Sequence, residues 1–393
     1  MIFRTKPLSQ HLVITDRCCI SSVRGEVNVR KEYIEKQKRE HGRKVIGTLP
    51  VHYPKELFTA ARALVVEIWG PPGTPRGPDA GRVQTYVCPV VRNALAFLAA
   101  GGADVVDAML FPHTCDSIQG LASLAPDLGG WDKPTLRFIH PKGERRQSSA
   151  RFLRAELQQL LTEITKITGF TPSASDLDDA IILHREIDAK RRHLLEHRRH
   201  LPFSDLELYA LLRRGEMLWP AEHLEELRAA EAKMTEQPAH SEVPVMITGY
   251  VPEPQEIFST LGEVGAMVVA DDYAAVGRRV PRHDVAVSAS GLDALVEQTF
   301  LQPPCPTRGA NESLRIEYLD RLFKQSGAAG LIIHTVKFCE PELFDVPAIR
   351  KHFSARNVPV LSLETELEPK LSGQATTRLE AFIEMVKSNA RAA

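Results

Sequence analysis

The chain has 393 residues, 43% hydrophobic and 25% charged, with a formal net charge of -1 at pH 7. That balance suits a soluble protein of two or three domains and gives no charge excess to draw a nucleic acid or an anionic membrane. No apolar run approaches the roughly 18 to 20 residues needed to span a bilayer, so no membrane partner is expected.

Residues 1–39 read as an N-terminal extension. The opening MIFRTKPLSQHLVITDRCC carries positive charge without a sustained apolar core, so no secretory signal is read and a cytoplasmic location is expected. Six cysteines in a chain of this length are better read as core, metal or redox residues than as a disulfide framework. A charged helix is predicted over 31–42. From 40 to 147 the pattern is an α/β lobe, with strands at 44–50, 65–70, 103–115 and 134–141 and helices at 54–64, 88–102 and from Asp116 onward. Such alternation argues for a parallel sheet covered on both faces.

From 148 to 240 the period becomes helical, with four amphipathic stretches, the first Ser-capped and ending at Gly169, the last opened by Pro220. The α/β pattern restarts over 241–393. Strands are predicted at 243–250, 266–272, 328–339 and 358–366, and helices at 253–265, 291–302, 311–327, 345–357 and 376–389. The expected fold is therefore α/β, with two Rossmann-like lobes of parallel sheet joined by a helical segment. No repeat of 20–50 residues and no low-complexity tract is read.

Three cysteines share a kind of address. Cys88 stands at a loop-to-helix junction, while Cys115 and Cys339 each follow a strand, in different lobes. Carboxyl ends of parallel strands are where ligands collect. If the lobes face each other, the three thiols meet in the cleft between them. Thiolates bind zinc, copper(I) and iron–sulfur clusters, and widely spaced cysteines match zinc knuckles poorly. The residues alone leave open whether these are cluster ligands or three buried core thiols.

Other candidates have equally bland alternatives. His113 and His334 flank the cysteines as possible proton carriers or as hydrogen-bonded structural residues. Lys337 could offset cluster charge or lie in solvent, and Asp116 could cap its helix. Asp271 and Asp272 end a strand and line the cleft or simply start a turn. His193 and His197 stand at i and i+4, a spacing open to metal, in a stretch that reads as a solvated face. Cys305, between prolines, is a packed turn thiol or, with Cys18 and Cys19, part of a six-thiolate set. The sequence has no GxGxxG after a strand and no GxxxxGK[ST], so any ATP would be used by a partner.

The motifs CPVVRNAL (88–95), PHTCDSIQ (112–119), PPCPTR (303–308), HTVKFCEPELFD (334–345) and LETELEP with GQATTRLEAFIEM (within 363–385) resemble the 2-hydroxyacyl-CoA dehydratase D-component family. That family includes benzoyl-CoA reductase subunits and double-cubane-cluster proteins. The resemblance runs from about residue 40 to 388. It implies that Cys88, Cys115 and Cys339 hold a [4Fe–4S] cluster with one iron open to an acyl-CoA thioester. It further implies an ATP-dependent activase supplying one low-potential electron, a ketyl radical route to loss of the 2-hydroxyl group, and a paralogous heterodimer partner or a homodimer. A double-cubane [8Fe–9S] cluster reducing small molecules, and a non-catalytic partner subunit, are the alternatives. The sequence departs from the family at Ala274 and Ala275, where a polar residue is expected, which bears on the subtype.

Overall fold

The computed structural model describes residues 23–69, 83–143, 145–281 and 289–392. Cys18 and Cys19, and with them most of the N-terminal extension, lie outside the described residues. Two four-stranded, all-parallel sheets form the molecule, each flanked by helices. The expected lobes and the helices between them are both present.

The first sheet contains β1 (Val45–Thr48), β2 (Leu64–Glu67), β3 (Ala108–His113) and β4 (Thr135–Ile139), in the order β2-β1-β3-β4. The second contains β5 (Val243–Gly249), β6 (Ala266–Tyr273), β7 (Gly330–Val336) and β8 (Val360–Thr365), in the order β6-β5-β7-β8. The two lobes thus share one doubly wound topology. In each, the chain reverses its direction of winding beside the first strand, and the crevice at the carboxyl ends there is the usual ligand position. Strands β1, β6 and β7 are buried at every residue, which explains their continuous apolar runs rather than alternation.

One close approach fixes the centre of the second sheet. A Cβ at Gly249 would run into the carbonyl oxygen of His334, so only glycine lets β5 and β7 meet there. Helix α1 (Val23–His41) precedes β1, and α2 (Lys55–Ala60), α3 (Pro89–Ala99) and α4 (Asp116–Gly129) belong to the first sheet. The intervening helices are α5 (Gln147–Thr168), α6 (Ala174–Glu196), α7 (Asp205–Arg213) and α8 (Pro220–Glu231). In α5, Leu153, Leu157, Leu160 and Ile164 repeat at helical spacing and are its buried stripe.

The second lobe adds α9 (Glu256–Glu263), α10 (Gly291–Leu301), α11 (Glu312–Ser326), α12 (Glu340–Ser354) and α13 (Gly373–Ala392). Although α10 follows β6 in the chain, its Leu292, Leu295 and Val296 pack into the core beneath the first sheet, with Leu157 and Leu177. A second core runs continuously from Leu95 and Ile118 of the first lobe to Val245 and Phe382 of the other. Buried polar links add to it: Arg279 Nη1 meets Glu67 Oε1 at 2.5 Å, and Arg92 Nη2 meets Glu366 Oε2 at 3.1 Å. Among the described residues no helix is long and apolar enough to cross a membrane.

Two local readings change. The helix predicted over 345–357 begins at Glu340, directly after Cys339, so Pro341 sits in its first turn. Proline is tolerated there because that N–H has no intrahelical acceptor. Asp116 does not cap α4: it is the first helical residue, and Cys115 holds the cap position with extended backbone.

Candidate metal centre

All three candidate thiols occupy the same local position. Cys88, Cys115 and Cys339 are the residues immediately before α3, α4 and α12. Each therefore stands over the open N–H groups of a helix start, where partial positive charge favours a thiolate or a bound anion. Cys115 and Cys339 follow β3 and β7, the corresponding strands of the two sheets, and both are free thiols, as is Cys88.

The three line one cavity of about 260 Å3 between the lobes. Its remaining wall includes Thr114, Lys142, Tyr250, Thr307, Phe338 and Phe344. Tyr250 follows β5, so the crevice between β5 and β7 supplies both a phenol ring and Cys339. Lys142 follows β4, and its Nζ donates to the carbonyl oxygens of Thr114 at 2.5 Å and Thr307 at 2.8 Å, one from each lobe. Phe338 takes φ +57°, a strained value for a bulky residue, in the turn that delivers Cys339.

The electrostatics separate the thiols. Cys88 and Cys339 lie within hydrogen-bonding reach, and that contact lowers the Cys88 pKa while raising that of Cys339 well above its usual value. One proton shared between two sulfurs has this effect. Burial pushes Cys115 up to about 11. Tyr250 is raised by burial and then by the nearby sulfurs. Lys142 is lowered by burial, with Cys115 and Cys305 opposing.

Three sulfurs on one cavity are the donor type that iron–sulfur clusters, zinc and copper(I) take. Among the described residues no three His, Cys, Asp or Glu side chains are grouped to hold one metal ion. Ligands of a cubane bind separate irons, so Cys88 and Cys339, here within hydrogen-bonding reach, would part to hold one. Thr114 Oγ1, buried on the cavity wall without a protein partner, is a further polar group facing the space.

The other sequence candidates are placed differently. His113 ends β3, half-buried, and is not among the cavity-lining residues. His334 is fully buried, with Nδ1 2.6 Å from the Tyr273 hydroxyl and Nε2 2.8 Å from Thr365 Oγ1, and burial brings it down to about 4. Lys337 is half-exposed and pairs with Glu366 at 3.5 Å. Asp272 does not face the cavity. It is fully buried between Arg278 and Arg315, and those guanidinium groups overcome the effect of burial to hold its carboxyl well below the usual range. Asp271 accepts from the Tyr273 N–H at 2.7 Å.

Cys305 is buried outside that lining, its Sγ 3.0 Å from Thr307 Oγ1 and 3.4 Å from Arg278 Nη1. Burial raises its pKa, but Arg278 and Arg308 outweigh that and bring it down to about 7. The His193 and His197 rings lie 4.4 Å apart, tilted by 39°, with Glu231 3.6 Å from His193. Sequence reasoning missed Lys142, Tyr250 and Phe344. The strand-end rule would have found the first two, since each stands one to three residues past a strand.

Residues 50–386 match the family described as 2-hydroxyglutaryl-CoA dehydratase, D-component. The chain is 26% identical over 372 residues to the (R)-phenyllactyl-CoA dehydratase beta subunit of Clostridium sporogenes, covering 90% of this chain and 95% of the relative. It is 24% identical over 363 residues to the lactoyl-CoA dehydratase subunit beta of Anaerotignum propionicum, covering 91% and 95%. A subunit of the benzoyl-CoA reductase of Thauera aromatica is 26% identical over 353 residues, covering 84% and 87%.

Proposed function

Because the chain belongs to the 2-hydroxyglutaryl-CoA dehydratase D-component family, we propose that it is an iron–sulfur subunit of a 2-hydroxyacyl-CoA dehydratase or of an enzyme like benzoyl-CoA reductase. Cys88, Cys115 and Cys339 hold a [4Fe–4S] cluster in this reading. The observation that carries it is the convergence of three helix-start thiols, from two lobes, on one cavity. When bound, the cluster would supply a one-electron couple and, with three protein thiolates on four irons, one iron open to a substrate oxygen.

The chain's own residues do the rest. Helix starts α3, α4 and α12 offset the negative charge of thiolates. Lys142, pinned by Thr114 and Thr307, adds a fixed cation at the wall. Tyr250 and Phe338 narrow the cavity against water. His113, half-buried two residues before Cys115, is the imidazole we assign to proton transfer, and His334 positions the β7 end through Tyr273 and Thr365.

The partners follow from the same reading. The relatives' names describe them as subunits, and a paralogous partner chain is proposed here, with an acyl-CoA substrate. Electron supply is assigned to a separate ATP-dependent activase, since this sequence has no phosphate-loop motif.

Iron and sulfide per chain on anaerobically purified protein test the proposal. About four irons are expected, against about eight for a double cubane. Cys88→Ser, Cys115→Ser and Cys339→Ser should each lose most iron and the broad visible absorption while circular dichroism is kept. Cys305→Ser should keep both. Full iron retention in all three cavity variants would end the cluster reading.

A further inference from the structure

A second, smaller chamber lies at the carboxyl end of the first sheet and shares no lining residue with the thiol cavity. Its space is about 50 Å3, enough for a few waters or one molecule of about four heavy atoms. Lys55 and Glu56 enter from the first turn of α2, Asp188 and Arg191 from α6, and Gln298 from α10. Arg279 reaches in from the other lobe.

Part of this chamber is satisfied internally. Gln298 Nε2 donates to Glu56 Oε1 at 3.0 Å, and Glu67 Oε1 accepts from Arg279 Nη1 at 2.5 Å and from the Tyr53 hydroxyl at 3.0 Å. Much is not. Arg279 Nε and Nη2, Arg191 Nε, His140 Nδ1 and Gln298 Oε1 are buried without a protein partner. Their residues are 6%, 6%, 4% and 7% exposed, beyond ready reach of bulk water. Guanidinium N–H groups left dry are costly, so an occupant is required.

Charge selects that occupant. Lys55 Nζ stands 3.9 Å from Glu67 Oε1, and Arg191 Nη1 3.9 Å from Asp188 Oδ1, both beyond hydrogen-bond length. Glu67 already serves Arg279. Burial pushes Glu56 up to about 7, which weakens its negative charge, and Asp188 to about 6, which leaves Asp188 largely ionised at neutral pH, so Lys55, Arg191 and Arg279 face Glu67 and Asp188 with one positive charge over. Forked N–H donors with charge to spare suit a planar carboxylate. We infer that this chamber binds a small carboxylate anion, held by Arg279 and Arg191, with Lys55 completing the charge. The inference is independent of the cluster. A carboxylate reaches such a site either free in solution or at the far end of an acyl chain, and the experiment separates these sources.

Thermal unfolding of the anaerobically purified full chain is followed in acetate, in chloride at equal ionic strength, and with acetamide as the neutral isostere. A saturable rise in midpoint is expected with acetate alone. Lys55→Met should weaken acetate about tenfold, and Lys55→Arg should restore it. Should Lys55→Met fail to fold, Lys55→Gln carries the same comparison. An equal response to acetate and chloride, or to acetate and acetamide, would mean that the chamber holds water only and would overturn the inference. So would an undiminished acetate response in the Lys55 variant. Displacement of acetate by glutaryl-CoA but not butyryl-CoA assigns the carboxylate to an acyl chain, and displacement by neither assigns it to the free anion. Either supports the site. Equal displacement by both would place acetate in the thiol cavity and overturn it.

Discussion

At the scale of single residues, burial decides what each charged group can do. Arg278 is fully buried, meeting Asp272 at 3.0 Å and Glu342 at 2.5 Å, the latter in the first turn of the helix that Cys339 starts. Removing it takes away the buried ion-pair partner of Glu342 and leaves Asp272 to Arg315 alone. Arg278→Met should destabilise the chain by about 3–5 kcal/mol in denaturant unfolding. Glu56 shows the opposite sign. Burial raises its pKa from 4.5 to about 7, so the folded chain holds a proton that the unfolded chain releases. Its cost is absent below pH 4.5 and grows until about pH 7, reaching at most roughly 3 kcal/mol. Glu56→Gln can keep the contact with Gln298 and removes that cost. The variant should gain stability over the parent at pH 8 and show no gain at pH 4, measured by urea midpoints.

At the scale of elements, the central pairing of β5 with β7 positions two walls of the thiol cavity, Tyr250 and Cys339. That pairing depends on Gly249, whose missing side chain leaves room for the His334 carbonyl. Gly249→Ala must push the strands apart or shift their register. It should cost about 1–3 kcal/mol by overpacking and, if the cluster assignment holds, lower iron content as well. A stable variant with full iron would show that the strand ends move independently of the cavity.

For the whole molecule, pH dependence is set by neutral imidazoles. Burial pushes His52 and His140 well below the usual range, His184 and His223 to about 3, and His334 to about 4. Well above pH 6.5 these groups are uncharged in both states and contribute no pH dependence. Below it, the unfolded chain takes up protons that the folded chain refuses. Stability should therefore fall as pH drops from 6.5 towards 4, by up to about 1.4 kcal/mol per pH unit for each imidazole. Five carboxyls raised by burial, Glu56, Asp188, Asp205, Glu253 and Asp345, act in the other direction, while four held low, Asp176, Glu216, Glu242 and Asp272, reinforce the imidazoles towards pH 4. Urea midpoints between pH 4 and 8 check the slope, and a midpoint flat across pH 4 to 6.5 would contradict this.

Much of this was readable along the chain, because the features are local. A strand buried on both faces must be continuously apolar, as in LIIHTV, and an amphipathic helix must repeat its leucines, as α5 does. Alternation of the two made a parallel α/β fold, and motif order led to the family. Position after a strand also singled out Cys115 and Cys339 without any contact being known. Only the tertiary structure decided which of these groups meet. Cys88 and Cys339 are 251 residues apart in the numbering, and nothing local reports that their helix starts face each other across the lobes. Nor does sequence distinguish His334, engaged at both ring nitrogens, from a histidine free to carry a proton. The chamber of Lys55, Arg191 and Arg279 draws on α2, α6 and the segment after β6, and no motif spans such distances. Periodicity reports which face of an element is buried, whereas the partner it is buried against depends on packing between elements far apart in the chain.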